Sequence, residues 1–136
     1  MILVDTNVLL DLVTNDPVWA EWSVGQLDAA SLLGPLLIND VIYAELAVRY
    51  ERIEALDEFL QAAGLVTAPF PKEALFLAAK VFTRYRHSGG TRNGVLPDFF
   101  IGAQAAVMQM PVLTRDIGRY RTYFPTVALV TPDSEK

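Results

Sequence analysis

Ile2-Leu3-Val4-Asp5-Thr6-Asn7 opens the chain, and the reading of these six residues decides the fold. Three consecutive apolar residues stopped by a polar triplet have the form of a short strand buried on both faces. The triplet also offers a helix cap, with Thr6 or Asn7 expected to cap a following helix through Val13. The same unit recurs at Leu36-Leu37-Ile38, where Asn39 or Asp40 caps a helix to about Tyr50. Leu65-Val66-Thr67, Val112-Leu113-Thr114 and Val127 to Val130 are further strand-type runs. Between them, helices fit Pro17 to Leu32, with proline at the first turn, and Ile53 to Ala63, closed by Gly64. Lys72 to His87 reads as an amphipathic helix with Leu75, Phe76, Ala79 and Phe82 as its apolar face. A glycine-rich loop, Ser88 to Gly94, precedes a helix from Pro97-Asp98 to about Met108. Short apolar runs alternating with helices define an α/β chain whose mostly parallel sheet is covered on both sides. Such sheets carry their sites at the carboxyl ends of the strands, and here those ends are acidic: Asp5 follows the first strand and Asp116 lies just past Thr114.

The chain has 136 residues and no cysteine, so it fits one domain and must build its core without disulfides, thiolate metal sites or thiol catalysis. With 52% hydrophobic and 20% charged residues it has a globular composition. The net charge of −5 excludes a broadly basic nucleic-acid coat. Charge is unevenly spread. Residues 1–48 hold seven acids and no Lys or Arg, whereas residues 49–96 hold seven basic residues against five acids. No targeting segment is visible, and the longest charge-free run, Phe99 to Thr114, spans sixteen residues, too few for a membrane span. The expectation is a soluble cytoplasmic protein with no membrane partner.

Four acids stand out together. Asp5 ends a buried strand. Glu45 has Val41, Ile42 and Val48 as helical neighbours, so it faces the core or a cleft lip rather than open solvent, although an i,i+4 pair with Arg49 is an alternative. Asp98 sits in the first turn of an otherwise apolar helix, where a buried helix surfaces. Asp116 alone would read as a turn acid paired with Arg115 or Arg119. Convergence of several carboxylates is costly, with like charges at 4 Å repelling by roughly 4 kcal/mol at an effective dielectric near 20, unless protons or a cation offset it. With no cysteine and a single histidine, His87, the fitting cation is hard and oxygen-ligated, Mg²⁺ or Mn²⁺. A carboxylate-only site of that kind points to phosphoryl chemistry.

The stretches Ile2-Leu3-Val4-Asp5-Thr6-Asn7, Asn39-Asp40-Val41-Ile42-Tyr43-Ala44-Glu45-Leu46, Leu96-Pro97-Asp98-Phe99-Phe100-Ile101-Gly102-Ala103 and Leu113-Thr114-Arg115-Asp116 resemble the PIN-domain family. Within it, the likeness is to the VapC-type toxins of bacterial toxin–antitoxin pairs. The tail, with Arg119-Tyr120, Tyr123-Phe124-Pro125 and Thr131-Pro132, has the same likeness, and the acids fall in order with separations of 40, 53 and 18 residues. The resemblance covers essentially the whole chain and implies one PIN-like domain over residues 1–136, a three-layer α/β/α fold with a short, mostly parallel central sheet. It implies a Mg²⁺-dependent endoribonuclease with Asp5, Glu45, Asp98 and Asp116 as the acidic quartet and Asp5, Asp98 and Asp116 toward the metal. Thr6, Asn7 and Thr114 would support them. It further implies a cognate antitoxin and homodimers through the early helices, where Trp19 and Trp22 are expected in the core or an interface.

From Lys80 to Arg121 there are seven basic residues, and the only acids in that interval are Asp98 and Asp116. Arg84, Arg86, Arg92 and Arg115 are therefore expected to line the approach and hold RNA phosphates, with Tyr85 stacking on an unpaired base. His87 reads as an ordinary loop residue. Three other readings compete. A haloacid-dehalogenase-like phosphatase needs a second Asp where Asn7 stands, and a receiver domain needs an acidic pair where only Asp5 is present. A non-catalytic binding module of PIN fold is the third possibility, disfavoured by the complete quartet.

Overall fold

The structure, a computed structural model, describes residues 1–92 and 94–132. Asn93, inside the glycine-rich loop expected from the sequence, lies outside the described residues. The elements run β1 (Ile2–Val4), α1 (Thr6–Val13), α2 (Ala20–Ser31), β2 (Leu36–Ile38), α3 (Asp40–Ala47), α4 (Ile53–Ala62), β3 (Leu65–Thr67), α5 (Lys72–His87), α6 (Leu96–Met108), β4 (Val112–Leu113), α7 (Ile117–Arg121) and β5 (Leu129–Val130). All four strand pairings are parallel, and the order across the sheet is β3-β2-β1-β4-β5. This is the three-layer α/β/α arrangement that the alternation of apolar runs and helices implies.

β1 and β2 are buried at every position, because helices cover both faces of the sheet and each strand must be apolar throughout. The core joins Leu3, Val4, Ile38, Val112 and Leu113 of the sheet to Val8, Leu9, Ile42, Leu46, Leu56 and Ile101 of the helices. The strand order carries the functional consequence. The chain winds outward from β1 to β2 and β3, then returns to place β4 on the other side of β1. The carboxyl ends of β1 and β4 thus flank the point where the winding reverses, the crevice in which open α/β sheets place their ligands.

Several expectations are corrected. The cap of α1 is Asp5, whose carboxylate accepts from the Thr6 amide at 2.8 Å, so Thr6 and Asn7 begin the helix rather than cap it. Helix α2 starts at Ala20 instead of Pro17, because the Asp16 carboxylate accepts from the amides of Val18 and Trp19 and holds that segment in a turn. Helix α3 ends at Ala47, short of Tyr50, and is capped by Asn39. The buried face of α5 is Ala74, Ala78 and Val81, while Leu75 and Phe76 are exposed. Small residues let α5 lie close against α6. The last strand begins at Leu129, and the five-residue α7 was not expected from the sequence.

Candidate active site

Asp5 is fully buried at the end of β1, and its carboxylate is saturated with donors. The Thr6 amide reaches Oδ1 at 2.8 Å. The hydroxyls of Thr114 and Tyr120 each reach Oδ2 at 2.8 Å, and the Asn7 amide reaches it at 3.3 Å. Parallel pairing of β1 with β4 (Val4 opposite Leu113) sets Thr114 directly beside Asp5. Asn7, the second residue of α1, also donates to Thr114 Oγ1 at 3.2 Å and accepts from the Arg115 amide at 3.1 Å. The three residues assigned supporting roles therefore touch the acids or each other. The third, Thr6, donates to Glu45 Oε1 at 2.6 Å.

Glu45, on α3, is half-buried at the cleft lip. Burial pushes its carboxyl above its ordinary value, and the charges of Asp5 and Asp98 add to this, while the Thr6 hydroxyl and Arg119 oppose it. Asp98 sits in the first turn of α6, which begins with Leu96-Pro97, the position where proline starts a helix without losing a bond. Its carboxyl is likewise raised by burial and by Asp5 and Asp116, against the lowering effects of Arg119 and Arg92. Asp116 caps α7, accepting from the Arg119 amide at 3.2 Å. Four acids from four separate elements thus lie within reach of one another's charge.

A cation stands among them. Arg119 Nη1 is 3.3 Å from Asp5 and 3.5 Å from Asp98, and its Nε is 3.5 Å from Asp116. Burial works against the charge of Arg119, but the acids around it outweigh that and hold its pKa above the ordinary arginine value. The neighbouring Tyr120 phenol, buried and facing Asp5, is pushed well above its ordinary value, so it remains a neutral donor. Sequence reasoning offered Arg119 only as a partner of Asp116 and missed its place beside Asp5 and Asp98 and the role of Tyr120. The motif was visible, but the short helix that turns Arg119 and Tyr120 back onto Asp5 has too few residues for a periodic signal.

The expected RNA-facing cations separate. Arg115 is not directed at the approach: it forms a two-pronged pair with the nearly buried Asp11, both bonds at 2.8 Å, and lies 5.0 Å over the Trp19 ring. Ser23 donates to the same Asp11 carboxylate at 2.7 Å. Arg92 is exposed and lines a cleft of about 340 Å³ with Asp98, Phe99, Asp116, Arg119 and Tyr123. Arg84 and Arg86 are exposed on the last turn of α5, outside that lining, with Arg86 over the Phe82 ring. Tyr85 is not free to stack on a base. Its ring packs edge-on against Phe99 and Tyr123, a Cβ at Gly90 would collide with it, and its hydroxyl accepts from the Arg92 amide at 3.0 Å. His87 is exposed as the final residue of α5 rather than in the loop. Trp19 and Trp22 pack edge to face.

The donor set suits a hard divalent cation, since every candidate ligand is a carboxylate oxygen. Among the described residues, however, no three Asp, Glu or His side chains form a ligating group as they are arranged. Arg119 takes the space between them.

The fold and the site together define an α/β domain with an acidic crevice at the switch point of a five-stranded parallel sheet. The PIN domain family model matches residues 2–125, and the chain belongs to the PIN domain family. Its fold is similar to those of several solved structures, among them a toxin–antitoxin complex from Klebsiella pneumoniae, with a TM-score of 0.70 at 20% identity over 97% of this chain and 98% of that one. For VapBC2 from Rickettsia felis, bound to a DNA fragment from its promoter, the TM-score is 0.73 at 18% identity over 96% of this chain and 98% of that one. For FitAcB from Neisseria gonorrhoeae the TM-score is 0.67 at 25% identity, over 97% and 98%. VapBC-1 from nontypeable Haemophilus influenzae gives 0.70 at 16% identity, over 96% and 98%. A comparison with curated proteins finds no significant match. Among the described residues, no helix is long and apolar enough to cross a membrane.

Proposed function

We propose that this chain is a Mg²⁺-dependent endoribonuclease, with Mn²⁺ able to substitute, acting in the cytoplasm as the toxin of a VapBC-type pair. The observation that carries the reading is the convergence of Asp5, Glu45, Asp98 and Asp116 on one crevice of a PIN domain. A cognate antitoxin is supported by one of the folds it resembles, which was solved as a toxin–antitoxin complex. A homodimer is part of the same proposal.

Asp5, Asp98 and Asp116 would hold the divalent cation. When bound, it supplies Lewis-acid polarisation of the scissile phosphodiester and a more acidic water. The protein's own part is positioning. Thr114, Tyr120, Asn7 and the Thr6 amide fix the Asp5 carboxylate in one orientation, as outer hydrogen bonds do for ligating groups. Thr6 does the same for Glu45. Asp98 lines the cleft, where its carboxylate would take the proton of the attacking water or hold that water in place. Arg92 lies along the same cleft to meet a phosphate of single-stranded RNA.

The test is incubation of the partner-free protein with total RNA, with Mg²⁺, with EDTA, and as Asp5→Asn or Asp98→Asn. Cleavage in Mg²⁺ alone, lost in EDTA and in both variants, is expected. Cleavage surviving EDTA or both substitutions defeats the mechanism, and no cleavage of any RNA favours a non-catalytic PIN-fold binding module.

A further inference from the structure

Arg119 and Arg115 are separated by four positions and are held in opposite ways. Arg115 makes two bonds of 2.8 Å to a single carboxylate, the short, parallel geometry of a committed guanidinium. Arg119 makes four contacts of 3.3 to 3.5 Å spread over three carboxylates, all longer than a well-formed charge-assisted bond. Its position is set by the summed field of the acids rather than by a fitted partner. It is also the third residue of a single-turn helix, and it lines the cleft that runs past Asp98 and Asp116 toward Arg92 and Tyr123. An extended side chain on that helix can leave the acids and enter the cleft by rotating its own torsions, with no backbone change.

We propose that Arg119 is the site's built-in counter-ion: it occupies the position of the divalent cation until that cation displaces it into the adjoining cleft, where beside Arg92 it faces the RNA phosphate. The inference rests on the metal-dependent reading above and adds a residue to it. Three carboxylates cannot hold a doubly charged ion and a guanidinium in the same place, because like charges at that spacing repel strongly. One of the two must leave, and the one held by long, divided contacts is the one free to go. The same residue thereby offsets the repulsion among the acids and, once displaced, supplies a positive charge to the phosphate. Arg119 would thus be a positioning cation for substrate, coupled to the metal by exclusion.

Mn²⁺ binding measured by calorimetry tests this without reference to cleavage. The Arg119→Met protein is expected to bind Mn²⁺ about tenfold or more tightly than the wild type, since no resident cation has to be displaced. Equal or weaker binding by Arg119→Met overturns the displacement while leaving the nuclease reading standing. Binding of Mn²⁺ by neither protein removes the metal site and both readings with it. Nitrogen-15 spectra of the wild type provide a second reading that needs no variant. Mg²⁺ addition is expected to shift the Arg119 Nε–H resonance and speed its exchange with water, while that of Arg115, locked on Asp11, stays in place. An Arg119 resonance that responds no more than Arg115 overturns the proposal.

Discussion

Asp5 and Glu45 belong to one site, yet neutralising them has opposite consequences for the fold. Asp5 is buried and accepts from Thr6, Asn7, Thr114, Tyr120 and Arg119. An amide at that position would point a donor at donors and strand at least one buried partner, so Asp5→Asn should cost about 1–3 kcal/mol, read as a lower melting temperature. Glu45 is half-exposed, and burial raises its carboxyl. A raised carboxyl means the folded state prefers the protonated form. Its contribution to stability is therefore full below the ordinary glutamate range and is lost as pH rises through the raised value. Glu45→Gln keeps an oxygen for the Thr6 hydroxyl and removes that penalty, so it should raise the melting temperature at neutral pH. Solvent screening of a half-exposed group keeps the gain to about 2 °C. Melts in EDTA should show the difference at pH 7 and its disappearance in acid; an equal gain at both pH values would contradict the charge explanation. Both variants should lose RNA cleavage. The acids themselves could be picked out of the sequence because an acid after a buried strand or within an apolar helical stripe is conspicuous. Their donors could not, since Thr114 and Tyr120 lie 109 and 115 positions from Asp5 and become neighbours only through the β1–β4 pairing.

Among the elements, the legible features were those carried by runs and caps. Three buried residues stopped by a polar one identify β1 and β2, and Asn39 marks the start of α3. What escaped were features set by a single side chain reaching elsewhere: the Asp16 turn that delays α2, and the alanines that, rather than Leu75 and Phe76, form the inner face of α5. Arg115 is the clearest case. A count of charges assigns it to solvent, but Asp11, itself hidden among the apolar positions of α1, draws it inward and ties the segment after β4 to α1 and, through Ser23, to α2. With Asp11 only 3% exposed, removing its partner leaves a buried charge uncompensated. Arg115→Ala should therefore destabilise the protein by about 3 kcal/mol, measured by urea denaturation. The double substitution Asp11→Ala with Arg115→Ala should recover part of that loss, and failure to recover any would mean that packing over Trp19, rather than the charge pair, carries the effect. Gly102 is a second such point. A Cβ there would collide with the Phe124 ring, and because Gly102 stands one turn beyond Asp98 on α6, Gly102→Ala should shift the helix that aims that carboxylate. Cleavage should fall more steeply than melting temperature.

For the molecule as a whole, the net charge of −5 argues against RNA only while it is treated as a smooth property. Setting aside the four site acids leaves −1, a nearly neutral body, and the structure then reduces the available cations further than the sequence suggested. Arg115 is committed to Asp11, and Arg119 to the acids in the metal-free protein. Of the four cations expected to hold RNA, Arg84, Arg86 and Arg92 remain exposed. A single strand held by about three phosphate contacts should show log affinity falling with log salt at a slope near −2, since each contact on single-stranded nucleic acid contributes about 0.7. A broadly basic RNA-binding surface would be several times steeper. Binding of a short single-stranded RNA to the Asp98→Asn protein, which should leave it uncut, measures this by fluorescence anisotropy across a salt series. With the series run in EDTA, so that Arg119 stays on the acids, adding Arg92→Ala should flatten the slope by about 0.7, and adding all three substitutions should bring it close to zero. Arg115→Ala should leave the slope unchanged in protein that remains folded, because that guanidinium is turned inward. A slope that survives the triple substitution would place the RNA on another face. A shallow dependence would mean that substrate is held by a few cations at the rim of an acidic crevice, so that its placement would come mainly from the shape of the cleft.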